Sequence, residues 1–210
     1  MTCARPAALA LAAILTLSVP DAEAAERTSP AFDCGRSIGK VEELICRDPG
    51  LAALDRRLTA RFAAAVKSLR SAPDAKAAVK AVRSEQRGWI SGRNECWKAD
   101  NMRACAENAY LAREGALVAT YLLDTPVSEA AFVCNANPAD AFDAAFFGTA
   151  LPSVRVERGD TVMAGTLVPT ASGARYALPF GRSLWLKGDE AVLVWPEGQE
   201  HVCRRAPGSG

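Results

Sequence analysis

Leu184-Trp185-Leu186-Lys187-Gly188-Asp189-Glu190-Ala191-Val192-Leu193-Val194 decides the architecture of the second half of this 210-residue chain. A leucine- and aromatic-rich run reaches a Lys-Gly-Asp turn and a second apolar run leaves it, which is the pattern of a β-hairpin. The same signal recurs on both sides. Short runs rich in valine, leucine and aromatics, broken by glycine and proline, predict strands over 131–135, 141–147, 153–157, 161–168, 175–178, 183–187, 190–195 and 200–204. Glu157-Arg158-Gly159-Asp160 marks another clear turn. Eight strands in so short a stretch predict a small closed antiparallel barrel or a sandwich, and we take the eight-stranded barrel.

Upstream of Thr125-Pro126 the period lengthens. Leu51, Leu54, Leu58, Phe62, Val66 and Leu69 recur at spacings of three and four, one face of a helix, with Asp48-Pro49 as its start. Ser71-Ala72-Pro73-Asp74 stops it and restarts a second helix, with Asp74 as N-cap. That helix turns Ala78, Val79, Val82, Gln86, Trp89 and Ile90 toward the first. A third, from about Met102 to Leu123, carries Tyr110, Leu111, Leu117, Val118, Tyr121 and Leu122. The expected fold class is therefore α + β in separate domains, a small disulfide-pinned three-helix domain over 31–124 and the barrel over 130–205.

The first residues set the compartment. Arg5 precedes an apolar run from Ala7 to Val19 that ends at Pro20 and Ala22-Glu23-Ala24, which reads as a secretory signal peptide over 1–24. The run is too short to span a bilayer, and no later segment is long and apolar enough. Cys3 lies before that run, not after it, and so is not placed as a lipid acceptor; the expected product is a periplasmic or secreted protein, not a lipoprotein. Of seven cysteines, Cys34, Cys46, Cys96, Cys105, Cys134 and Cys203 remain, an even number in an oxidising compartment, so three disulfides are expected. Cys134 and Cys203 fall on the first and last strands, where a bridge would seal the barrel. The pairing of the other four is open among three possibilities. No Cys-x-x-Cys spacing occurs and His201 is the single histidine, so neither a metal nor another cofactor is expected. With 25 basic against 24 acidic residues, the balance gives no reason to expect nucleic acid.

Two resemblances cover nearly all of the remaining chain. Phe132-Val133-Cys134, Ser172-Gly173-Ala174-Arg175-Tyr176, Trp185-x-Lys187-Gly188 and Cys203 stand in the order of the membrane-bound lysozyme inhibitors of C-type lysozyme, the MliC family, which the barrel half resembles. Phe32-Asp33-Cys34, Val41-Glu42, Ile45-Cys46, Leu51-Ala52-Ala53-Leu54-Asp55 and Gln86-Arg87-Gly88-Trp89-Ile90 with Arg93 and Cys96 look like the N-terminal domain of lysozyme inhibitor LprI. The MliC-like resemblance implies an inhibitor whose loop serine and strand lysine, here Ser172 and Lys187, meet the catalytic carboxylates of a C-type lysozyme. Gly173, Arg175 and Tyr176 join them as the expected lysozyme-binding set.

Physical chemistry supports that pair independently. A C-type lysozyme works with two carboxyl groups at the bottom of a cleft, one with a raised pKa and one ionised. Thr170-Ala171-Ser172-Gly173-Ala174 is thin enough to enter a groove shaped for a sugar chain, and Gly173 can adopt positive φ. A serine hydroxyl both donates and accepts, so it can bond a carboxyl group in either protonation state. Lys187 would bring an ammonium to the ionised carboxylate. Taken alone, serine and glycine are ordinary turn formers and Lys187 an ordinary surface charge; for Arg175 and Tyr176 the residue types favour structural roles.

From Ala130 to Cys203 eight acids face five bases, a net charge of −3, which would steer the barrel toward a basic lysozyme. The helical half leans basic, which fits a solvated surface or the alternative of a non-catalytic module that binds envelope polymers or another protein. An enzyme is not expected: no catalytic set can be assembled from one histidine, no free cysteine and no recognisable pair of carboxylates.

Overall fold

The computed structural model describes residues 29–36, 39–195 and 198–208 together with Met1; the expected signal segment 1–24 and Cys3 lie outside the described residues apart from Met1. Helices come first: α1 (Lys40–Arg47), α2 (Pro49–Ser68), α3 (Ala75–Asn94) and α4 (Met102–Tyr121). Eight strands follow: β1 (Ser128–Cys134), β2 (Ala141–Phe147), β3 (Ser153–Arg158), β4 (Thr161–Val168), β5 (Ala174–Ala177), β6 (Ser183–Lys187), β7 (Glu190–Val194) and β8 (Glu200–Arg205). Each strand pairs antiparallel with the next, and β8 returns to β1, closing a barrel.

The helical half has four helices where three were expected. The extra one, α1, is only eight residues long, shorter than the window over which a helical period can be read. It buries Val41 and Ile45, one turn apart, and the Cys34–Cys46 disulfide ties its end to the preceding segment. The Asp48 carboxylate caps α2 by accepting from Leu51 N at 3.0 Å, with Pro49 in the first turn. Asn101 does the same for α4, accepting from Ala104 N at 2.9 Å. Asp74 precedes α3 as expected, yet its side chain makes no capping bond.

At the bundle centre the apolar period is interrupted by charge. Tyr110 donates to Asp55 Oδ1 at 2.8 Å and accepts from Arg93 Nη1 at 2.7 Å, while Ala31 N donates to Asp55 Oδ2 at 2.8 Å. Arg93 is completed by Asn94 Oδ1 at 2.8 Å and by Glu42 at 3.7 Å. Burial is the main cause that pushes the Tyr110 phenol above its ordinary pKa, so it stays a neutral donor. Trp89, one turn before Arg93, packs edge-on against Tyr110 and donates to Ala109 O at 3.3 Å; Gln86 accepts from Arg113. The Gln-x-x-Trp-x-x-x-Arg phrase is thus the α3 side of a polar core that joins all four helices and the chain before them.

The two halves touch. Val118 and Ala119 on α4 are buried with Phe147 of β2 and Ala164 of β4, and Arg155 of β3 donates to Thr120 O at 2.7 Å. Helix α4 therefore buries Tyr110 and Leu117 in the bundle and Val118 against the barrel, two faces where the sequence pattern shows one stripe. At Gly115 a Cβ would come within 2.7 Å of Thr166 Cγ2 and 3.0 Å of Ser153 Cβ. Only glycine lets the helix lie this close.

Inside the barrel the alternation is regular. Phe132, Phe142, Val154, Val156, Leu184 and Leu193 point inward and are fully buried. Cys134 and Cys203 sit opposite one another across the β1–β8 seam and are bridged, and Cys96 pairs with Cys105, so the six cysteines among the described residues all form disulfides.

Candidate functional site

Strand order places the β4–β5 loop (169–173), the β6–β7 turn at Gly188-Asp189 and the β2–β3 connection at one end of the barrel. Ser172 and Lys187 are consequently neighbours. Register pairs Ala174 with Leu186, so Gly173 lies against the end of β6. A Cβ on Gly173 would fall 2.1 Å from Leu186 O and 3.5 Å from Lys187 Cγ, and its φ of 68° is the left-handed conformation glycine tolerates. Both demands select glycine, and meeting them holds the loop flat against the neighbouring strand.

Trp185 finishes the arrangement. Leu184 and Leu186 point into the barrel, so alternation turns Trp185 outward. This parity puts Trp185 on the outer wall of the barrel, whereas Trp195 packs in the core. The Trp185 indole Nε1 donates to Ser172 O at 2.8 Å, and Thr170 Oγ1 approaches the same oxygen at 3.4 Å. With its carbonyl engaged, Ser172 is exposed and its hydroxyl makes no hydrogen bond among the described residues. The Lys187 ammonium lies over the Trp185 ring, 3.5 Å from its centroid, and the Arg175 guanidinium, cross-strand from Trp185, lies 5.9 Å from the same centroid. One aromatic ring thus fixes the serine loop through its edge and gathers two cations at its π system.

The expected site residues therefore separate. Ser172, Gly173, Arg175 and Lys187 share this end and its outer wall and are exposed. Tyr176 does not join them: at 8% exposure it belongs to the barrel core beside Phe146, and burial raises its phenol pKa. It faces the barrel interior, whereas the side chains of Ser172, Arg175 and Lys187 are exposed. Trp185, the residue that organises the group, was not among the expected site residues, although strand alternation from Leu184 and Leu186 would have turned it outward.

His201 stands at the opposite end, in contact with Asp140 Oδ2 at 3.2 Å and with Arg158 and Asn135. Burial tends to raise the Asp140 pKa, but Arg158, His201 and Asn135 outweigh it and hold the carboxyl below its ordinary value. This ionic cluster ties the β1–β2 and β3–β4 turns to β8. Among the described residues no group of three or more His, Cys, Asp or Glu side chains is placed to hold a metal ion, and no helix is long and apolar enough to cross a membrane.

Residues 132–201 match the family model described as membrane-bound lysozyme-inhibitor of c-type lysozyme, MliC. The barrel carries an MliC domain. The match begins in β1, ends in β8 and contains both Ser172 and Lys187. Over 188 residues the chain is 29% identical to proteins named Lipoprotein LprI from Mycobacterium bovis and from two strains of Mycobacterium tuberculosis, covering 86% of this chain and 88% of each relative. That similarity is too long to be confined to the barrel, so it takes in helices as well. The relatives' name gives no support to the expectation that this protein is not a lipoprotein. No solved structure matches the chain.

Proposed function

We propose that this protein is an exported, non-catalytic inhibitor of C-type lysozyme, periplasmic or secreted, and that it occludes the lysozyme cleft with the Ser172 loop while Lys187 meets the ionised catalytic carboxylate. The observation that carries the reading is the joint fixing of Ser172 and Lys187 by Trp185 at one end of an MliC-matched barrel. A probe that enters a cleft loses less conformational entropy when its loop is already ordered. The free hydroxyl of Ser172 suits a carboxyl in either protonation state, and the ammonium strengthens as water leaves the cleft. The net −3 of the barrel favours encounter with a basic enzyme.

The test is a titration of the oxidised protein against a C-type lysozyme degrading bacterial cell walls, beside a Ser172→Ala/Lys187→Ala double variant. Inhibition by the wild type and a loss of at least tenfold in the variant are expected, since each buried contact of this kind is worth about 2 kcal/mol. Full inhibition by the double variant would move the activity to another surface of the molecule. Absence of inhibition by both proteins would remove the lysozyme reading.

A further inference from the structure

The cations of the helical half are not used alike. Arg57 and Arg61 hold Glu114, Arg61 also holds Asp124, Arg103 holds Asp48 and Glu107, and Arg47 holds Glu43. Lys76, Lys80, Arg83 and Arg87 on α3 are exposed and form no ion pair among the described residues. Their spacings of four, three and four residues put all four within an arc of about 60° on the helix. Glu85, the acid within α3, lies on the far side of the helix and is directed to Arg113. Arg70, from the turn before α3, joins the row with Ala75 and Val79, and together they line a shallow groove of about 500 Å³. The row runs for roughly 17 Å along the axis at 1.5 Å per residue.

Four unpaired like charges on one helix face repel one another and destabilise the helix slightly. A counter-charge running along that face would offset the repulsion. We propose that this face of α3 is a docking surface for a linear anionic polysaccharide, separate from the Ser172 end of the barrel and independent of the lysozyme reading. The ligand's chemistry follows from what the face offers and what it lacks. A single row of charges favours a ligand that carries its own charges in a row. The apolar residues that line the groove beside the cations are Ala75 and Val79, Ile90 follows less than a turn after Arg87, and Trp89 packs against the bundle core. A single-stranded nucleic acid would need aromatic platforms for its bases, and a helix that inserts into a membrane interface would need a face of large apolar side chains. A charged polysaccharide needs neither.

The experiment measures binding of the full oxidised protein to heparin and to polygalacturonate as a function of salt. Alongside it run a Lys76→Gln/Lys80→Gln/Arg83→Gln/Arg87→Gln variant and a control with the same number of cations removed elsewhere, Arg36→Gln/Arg47→Gln/Lys98→Gln/Arg204→Gln. Glutamine keeps the helix propensity close to that of the residues replaced, and far-UV circular dichroism checks that α3 remains. The expected result is salt-sensitive binding that falls at least tenfold in the α3 variant, with a shallower salt dependence, while the control binds like wild type and lysozyme inhibition by the α3 variant is unchanged. Four outcomes overturn the proposal: no binding by wild type at low salt, wild-type affinity in the α3 variant, equal loss in the control, or tighter binding to anionic-lipid vesicles or to a single-stranded oligonucleotide than to either polysaccharide.

Discussion

In the helical half, Asp55, Arg93 and Glu114 are buried at 7%, 4% and 5% exposure, whereas the buried polar residues of the barrel are Ser153, Thr166 and Ser183, none of them charged. At the centre of the bundle one buried guanidinium, Arg93 of α3, has Glu42 of α1, Asp55 of α2, Tyr110 of α4 and its neighbour Asn94 around it, and so reaches every helix. The barrel closes on itself and needs no such link, because its ladder satisfies the backbone and its interior fills with phenylalanine, leucine and valine. Disulfides follow the same division. Those of the helical half span 12 and 9 residues and fix local corners, while that of the barrel spans 69 and joins first strand to last.

The largest effect that would break this comparison is in the polar core. Arg93→Met leaves Asp55 and Glu42 without their buried cation and should cost about 3–5 kcal/mol in urea unfolding. A loss below about 1 kcal/mol would show that apolar packing alone holds the helices. The disulfides sharpen it next. Replacing Cys134 and Cys203 by serine should cost about 4 kcal/mol, against about 2.5 kcal/mol for Cys96 and Cys105, since the longer closed loop restricts the unfolded chain more. Equal losses would mean that the barrel bridge does no more than a local clip. The smallest effect concerns acid. Because the Asp140 carboxyl titrates below its ordinary value in the folded chain, the stability it adds is present above the unfolded pKa of about 3.9 and fades as pH falls through the folded value. Thermal scans from pH 6 to pH 3 should therefore show wild type losing a few degrees more than Asp140→Asn. Parallel curves would mean that the cluster with Arg158 and His201 contributes nothing to folding.

Sequence patterning reached the barrel more completely than the helices, and the reason is physical. An up-and-down barrel is written locally, as runs of period two between glycine turns such as Gly159 and Gly188, and its closure was legible because Cys134 and Cys203 fall on the outermost strands. The bundle is held by residues that an apolar period skips. Asp55 and Arg93 occupy core positions while reading as surface residues, and Gly115 and Ala119 mark a second buried face of α4 only through being small. At the candidate site, Ser172 and Lys187 were legible as motif residues, yet their adjacency rests on the β5–β6 register, which no local pattern states. Tyr176 was placed with them as the last residue of the Ser-Gly-Ala-Arg-Tyr phrase; adjacent strand residues face opposite ways, and it points inward.

The close approach at Gly115 has a bearing on how the molecule meets anything large. Because α4 touches Ser153 and Thr166 with no side chain between, the helices are not a pendant swinging on a hinge at Thr125-Pro126. Whatever grips the loop end of the barrel therefore meets the bundle at a preset bearing. If the two surfaces act on one target, the second docks without a further loss of orientational freedom; if they act on two targets, the angle between those targets is set by the absence of a single methyl group.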